Sequence, residues 1–291
     1  MKTNVYELVT ERIIEQLNAG IIPWRRPWSA AKVSAETAAV NYVTRKGYSI
    51  LNQWLLGEPG EYLSFKQVQS LGGQVNKGAK SRMVVFYTQV PYVEKKDDGT
   101  EVLKSYPVLK YYNVFHLRDT NLPSKFVPGE VIEMPALEDA AEEIIRGYLS
   151  REATLKFIND KPSNKAFYQP TTDTVVVPMP SQFKELSEYY STAFHEFTHS
   201  TLKASRCDRE AENKNAYFGN GDYSREELVA EMGSAMILSH LGIEVEKTFK
   251  NSVAYLQSWV RALKGDPKMI VWAASRAEKA ARYILNEQGA E

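Results

Sequence analysis

The sequence predicts an α+β protein of two domains, and three observations predict it. A proline-dense stretch from Leu122 to Pro135, with Pro123 and Pro128 inside it, suits neither a helix interior nor a central strand. Upstream of it lie short apolar runs of strand length, whereas downstream the apolar residues recur at helical spacing. At 291 residues the chain holds enough material for two ordinary cores. The expected division is 1–130, a small α+β domain, and 131–291, mainly helical with a small sheet.

Each element follows from its local pattern. Val5 to Asn18 alternates apolar and charged residues at helical spacing and stops at Gly20; further helices are expected around Ile50–Leu56 and Ser64–Leu71. Strands are expected at Met83–Tyr87, Val108–Tyr112 and Val114–Leu117. In the second half, Ala136–Glu152 reads as a helix, and Phe167–Tyr168 and Val175–Val177 as strands joined by the turn Pro170–Asp173. Pro178 and Pro180 suggest that the second of these strands lies at a sheet edge, where it could add an extended peptide. Four helices complete the pattern: Leu186–Leu202, Glu226–Leu241, Val253–Leu263 and Lys268–Asn286.

Composition narrows the function classes. No window of uncharged apolar residues is long enough to cross a bilayer, and the first residues are amphipathic instead of signal-like. The single cysteine, Cys207, excludes an internal disulfide and agrees with a reducing, cytoplasmic setting. The net charge of zero hides an asymmetry: residues 1–120 carry 16 basic against 11 acidic side chains. Between Gln16 and Val93 the only acids are Glu36, Glu58 and Glu61, so a polyanion is an expected partner there and a membrane is not.

The chemistry centres on His195-Glu196-Phe197-Thr198-His199. On a helix, residues i and i+4 lie one above the other, so both imidazoles reach one ion while Glu196 reaches a water on it. A catalytic zinc needs a third protein ligand. The metzincin continuation is absent, since Leu202 and Ser205 stand where Gly and His would be required. Downstream, Ser224 and Glu227 have capping-box spacing, which accounts for Glu227 without any metal, and Glu231 follows one turn later.

Glu227-Leu228-Val229-Ala230-Glu231 resembles the E-x-x-A-[D/N] helix of gluzincin-type zinc peptidases, with Glu in the last place. The resemblance implies Glu227 as third ligand and Glu231 as the group orienting a ligand from behind, with the reverse assignment as rival and Asp208 as next candidate. It implies Glu196 as general base and zinc as the metal, although Mn or Co suits such ligands too. Tyr217 and Tyr223 are candidates for steadying the oxyanion, and His240 reads as a helix-surface residue.

The basic first half mixes cations with flat side chains: Trp24, Arg25, Arg26 and Trp28 share one loop, followed by Arg45, Tyr48 and Lys77. Stacked bases and a tracked phosphate backbone require those residue types, although tryptophan and tyrosine also serve as core. Gly20-Ile21-Ile22-Pro23-Trp24, Asn41-Tyr42, Asn52, Gly72-Gly73-Gln74-Val75, Val84-Val85-Phe86-Tyr87 and Tyr112-Asn113-Val114-Phe115 together resemble the N-terminal domain of plasmid antirestriction proteins of the ArdC type. Ala166-Phe167-Tyr168, Asp173, Val177-Pro178, Tyr189 to Thr192 and His195 to His199 resemble the zincin-like metallopeptidase domain that accompanies it.

That likeness implies single-stranded DNA binding by 1–130 through Trp24, Arg25, Arg26, Trp28, Arg45, Tyr48 and Lys77. It also implies a metallopeptidase-type site in 131–291 and protection of incoming plasmid DNA from host restriction. A peptide or protein substrate, such as a component of a restriction system, is the implied second partner. The alternative is a protein that coats DNA or masks the restriction enzyme, with a structural metal.

Overall fold

The computed structural model describes residues 4–25, 38–95, 101–126, 137–210, 221–243 and 253–287. The chain forms two units, one of Met1–Arg12 with Ser34–Phe126, the other of Ile13–Val33 with Val127–Glu291. The segment Ile13–Val33 therefore groups with the second unit and not, as its place before the proline break suggested, with the first. Its Trp24 and Arg25 are the reason: both are buried and bonded to a carboxylate of the second unit, Glu231. The first helix, α1 (Val5–Asn18), buries Val9, Ile13 and Leu17, one face at four-residue spacing, and ends where Gly20 turns left-handed.

The first unit is built on a four-stranded sheet of β1 (Ala39–Asn41), β2 (Gly60–Ser64), β3 (Arg82–Lys95) and β4 (Glu101–His116), in the order β1-β2-β4-β3. Only β1 and β2 run parallel. Two short helices, α2 (Ile50–Leu56) and α3 (Phe65–Ser70), accompany it, the second opened by a capping box of Ser64 and Gln67. Buried Asn52 on α2 donates to the carbonyl of Val85 at 2.9 Å and accepts its N–H at 2.7 Å. One amide side chain thus satisfies both outward backbone groups of Val85 on the edge strand β3.

The strands β3 and β4 form one long hairpin, in register from Arg82↔Val114 to Lys95↔Glu101, where sequence patterning had shown three short runs. The pattern fades past Tyr87 because neither face of the outer half of the hairpin is buried, so little imposes an apolar alternation. Pro91 and Pro107 are tolerated for a related reason. Val85 gives its N–H to Asn52, so odd-numbered positions of β3 and their partners on β4 point their N–H groups away from the shared ladder.

The second unit packs α4 (Leu137–Arg151), α5 (Leu186–Ser200), α6 (Gly221–His240), α7 (Val253–Gly265) and α8 (Met269–Leu285) with a three-stranded sheet. The sheet holds β5 (Lys156–Ile158), β6 (Phe167–Gln169) and β7 (Thr174–Val176), in the order β5-β7-β6. So β7 is central and β6 is an edge, the reverse of what Pro178 and Pro180 suggested; both prolines lie past the end of β7 and take no N–H from its ladder. Tyr148, Val175, Val177, Tyr189, Phe194, Phe197 and Leu238 belong to the main core.

A buried polar network ties β6 and β7 to the end of α5. Arg206 donates to both carboxylate oxygens of Asp173 at 2.8 Å, to Glu152 at 2.7 Å and to the carbonyl of Ser200 at 2.8 Å. Asp173 stands left-handed in the β6–β7 connection and accepts the hydroxyl of Tyr168. Burial alone would raise its carboxyl, but Arg206, Thr154, Lys203 and Tyr168 outweigh that and hold it well below the usual carboxylate range. No helix among the described residues is long and apolar enough to cross a membrane.

Candidate metal centre

The helix α5 is seated by Tyr189, Tyr190, Ala193, Phe194 and Phe197, all buried, which leaves His195 and His199 half-buried on the remaining face. Its C-terminal carbonyls are taken up by arginines that fold back from the following turn: Arg206 on Ser200, and Arg209 on Thr198 at 3.2 Å. The helix α6 lies against it at unusually close range. A Cβ on Gly233 would stand 2.6 Å from Cγ2 of Thr198, so only glycine permits this approach. Ser234 fixes it by donating to the carbonyl of Ser191 at 2.8 Å.

That approach brings a carboxylate to the imidazoles. Nε2 of His195 and Nε2 of His199 are 3.2 Å apart, and Glu227 reaches the first at 3.5 Å and the second at 3.4 Å. Tetrahedral bonds of about 2.0–2.2 Å from a central ion would separate neighbouring ligand atoms by roughly 3.3–3.5 Å. The separations are near that size, with Oε2 of Glu227 nearest His195 and Oε1 nearest His199, and His195, His199 and Glu227 are the group among the described residues whose donors, one from each, all lie within 4.8 Å of one another. The charges agree with the distances. Burial disfavours a charged His199, but Glu226 and Glu227 outweigh it and push its pKa up to about 10. Burial likewise would raise Glu227, yet the two imidazoles pull it well below its ordinary value. A carboxylate facing two imidazoles, with a second carboxylate behind one of them, favours a cation at the shared side.

Glu196 is 7% exposed and stands beside this triangle without joining it. Burial raises its pKa above the usual glutamate range, against the pull of both histidines and, more weakly, of the backbone N–H of Tyr168 on the edge strand β6.

Sequence reasoning missed Glu226. Its Oε1 lies 3.5 Å from Nδ1 of His199, and it is held from behind by Arg209 at 2.7 and 3.2 Å. A carboxylate on Nδ1 fixes the tautomer that leaves Nε2 free for a metal. The orienting role expected of Glu231 falls here instead. Glu231 accepts Trp24 Nε1 and Arg25 at 3.0 Å and the hydroxyl of Tyr255, and makes no hydrogen bond to either histidine. Ser224 stands inside α6, which begins three residues earlier at Gly221. Asp208 is exposed, in a left-handed turn outside the triangle, and His240 faces Glu287 at 3.5 Å. The variant Glu226→Gln is expected to bind zinc about 10- to 100-fold more weakly, read by competition with a chromophoric chelator.

The residues expected to touch DNA are dispersed. Trp24 is 1% and Arg25 3% exposed, so neither presents a ring face or a free guanidinium; Trp24 stands edge-on to Trp259 and Arg25 lies 4.7 Å over the ring of Tyr255. Burial against Glu231 replaces their expected role as contacts. Arg45 is partly exposed in a left-handed turn and paired with Glu61, Tyr48 is half-buried beside Asn41, and Lys77 is exposed. Arg26, Trp28 and Tyr217, and the side chain of Tyr223, lie outside the described residues.

Comparison with known proteins agrees with this architecture. Residues 3–115 match the N-terminal domain of anti-restriction factor ArdC, and residues 148–276 match a zincin-like metallopeptidase domain. Two proteins named DNA primase TraC, both from Escherichia coli, are 34% and 30% identical over 98% of this chain. The chain spans only 20% and 27% of their lengths. An uncharacterized protein of Sinorhizobium fredii is 29% identical over 98% of this chain and 93% of its own. Among solved structures, metal-free antirestriction protein ArdC from the R388 plasmid is 30% identical, with a TM-score of 0.70 over 99% of this chain and 100% of that one. Its Mn(II)-bound form has a TM-score of 0.71 at 29% identity, over 98% of both chains. With a relative this similar matched from end to end, and both domain models in the same order, the chain belongs to the ArdC antirestriction family.

Proposed function

We propose that this protein binds single-stranded DNA through its first unit, carries a metallopeptidase site at His195, His199 and Glu227, and protects incoming plasmid DNA from restriction. The observation that carries the enzymatic half is the triangle itself, sized for one divalent ion and flanked by a buried carboxylate that is not a ligand. Zinc is the metal this donor set favours, and manganese is supported by the Mn(II)-bound relative. A divalent ion held there supplies Lewis acidity toward a carbonyl oxygen and eases ionisation of water.

The chain's own residues do the rest. His195, His199 and Glu227 fix the ion's position, and Glu226 with Arg209 fixes the ring of His199. Glu196 takes the proton from the attacking water and passes it to the leaving amine nitrogen. The strand β6, an edge whose backbone already touches Glu196, offers a ladder on which an extended peptide can be held across the site.

The DNA half rests on family membership and on the basic balance between Gln16 and Val93. Fluorescence polarisation with a labelled oligothymidylate tests it. Binding should weaken as salt rises, with a logarithmic slope of about −0.7 per phosphate contact. Absence of salt-sensitive binding would remove DNA from the account.

A further inference from the structure

We propose that one face of the β3–β4 hairpin is the platform on which the bases of single-stranded nucleic acid stack. The inference rests on the DNA-binding reading above and gives that reading a location. Directly opposed residues of an antiparallel pair share a face, and the register opposes Phe86 to Lys110, Tyr92 to Lys104, Val90 to Tyr106 and Val84 to Tyr112. Four aromatic rings and two lysines therefore stand on one side. The rings form two pairs, Phe86 with Tyr112 at 5.6 Å and Tyr92 with Tyr106 at 5.7 Å between centroids. All four are between 37% and 49% exposed, on strands whose outer half has no buried layer on this face.

Stacking needs flat rings that water already reaches, and backbone tracking needs a cation nearby. Lys110 is exposed and stands across from Phe86, whereas Lys104 shares its charge with Glu94 at 2.5 Å. The opposite face of the hairpin is different in kind. It carries the exposed aliphatic pair Val93 and Leu103 with Pro91 and Pro107, a lysine, Lys95, paired with Glu101, and two exposed rings, Tyr87 and Tyr111, level with Phe86 and Tyr112, but no ring in its outer half. The face of Phe86 and Tyr92 thus carries the larger share of rings, four against two, and its two pairs extend to the outer half of the hairpin, which suits a row of stacked bases. The two ring pairs lie six residues apart along the strands, about 20 Å at strand rise. A strand reaching both engages several nucleotides, within the roughly 4–16 typical of single-strand binding modules.

The test uses the full chain and the same labelled oligothymidylate. Tyr92→Ala/Tyr106→Ala is expected to weaken binding on the order of 20-fold or more, from two lost stacks, with the salt slope unchanged. Tyr92→Phe/Tyr106→Phe, which keeps the rings, should stay within about twofold of the parent. These tyrosines lie outside the cores, so both variants should melt with the parent. If the parent binds and the alanine pair binds equally well, the hairpin is not the platform, although DNA binding stands. Light scattering that shows the alanine pair altering self-association while DNA affinity holds would assign the face to a second copy and overturn the proposal. If the parent itself binds no single strand, the broader reading fails first.

Discussion

Glu196→Gln is expected to keep its metal and lose metal-dependent peptide hydrolysis by about 10²- to 10⁴-fold, the range that a positioned general base supplies. The amide is nearly isosteric with the carboxylate, so the buried site keeps its shape. Glu196 is outside the triangle of ligand atoms, so its charge is not needed to hold an ion. What disappears is the ability to take a proton. Hydrolysis of a panel of quenched fluorescent peptides, run beside metal analysis of the same preparation, separates the two effects. A restriction-protection assay on the same variant then distinguishes the two functional readings. Lost protection ties antirestriction to hydrolysis; full protection with bound metal means that DNA coating or enzyme masking suffices and the ion is structural.

Glu227→Ala should weaken metal binding by more than the roughly 100-fold upper end for loss of a supporting carboxylate. Glu227 contacts both imidazoles at 3.4–3.5 Å, so its removal opens one whole side of the triangle. Glu226→Gln removes only the group behind His199 and should fall short of that loss. Chelator competition on the two variants ranks the glutamates. If Glu226 proved the costlier loss, the assignment of ligand and orienting group would have to be exchanged. Their neighbours in space point the other way: Glu226 is occupied by buried Arg209, while among the described residues the ion pairs of Glu227 are with the two histidines.

Much of this site was legible in the sequence because its chemistry is encoded by short helical spacings. His195, Glu196 and His199 are fixed relative to one another by one turn of α5, and an amphipathic pattern around them is enough to place that turn. Glu227 could be reached through a second helical motif. Glu226 could not, since two adjacent glutamates at a helix start read as a favourable charge at the dipole, and only the packed structure shows which of them meets Nδ1. Gly233 carried a signal that was overlooked: a glycine inside a helix costs stability unless a close approach requires it, and Thr198 is that approach.

The remainder depended on contacts remote in sequence. Trp24 and Arg25 have the composition of a nucleic-acid loop and of a buried anchor alike; the deciding partner, Glu231, lies more than 200 positions away. The strands β1 and β5, three residues each, are too short to show a period, and each exists through parallel pairing with a strand remote in sequence, β2 and β7. The outer half of the β3–β4 hairpin eluded patterning for the opposite reason, because neither of its faces is buried. Helix α6 lacks an amphipathic stripe, being buried nearly all round from Glu226 to Ser239, so its start was set too late, at a serine that lies inside it.

The central claim is that one divalent ion is held by His195, His199 and Glu227. Elemental analysis of the chain, stripped with chelator, refilled with zinc or manganese and freed of excess, tests it directly. One ion per chain is expected for the parent and none for His195→Ala/His199→Ala. An empty parent, or a double variant that retains as much metal as the parent, would contradict it.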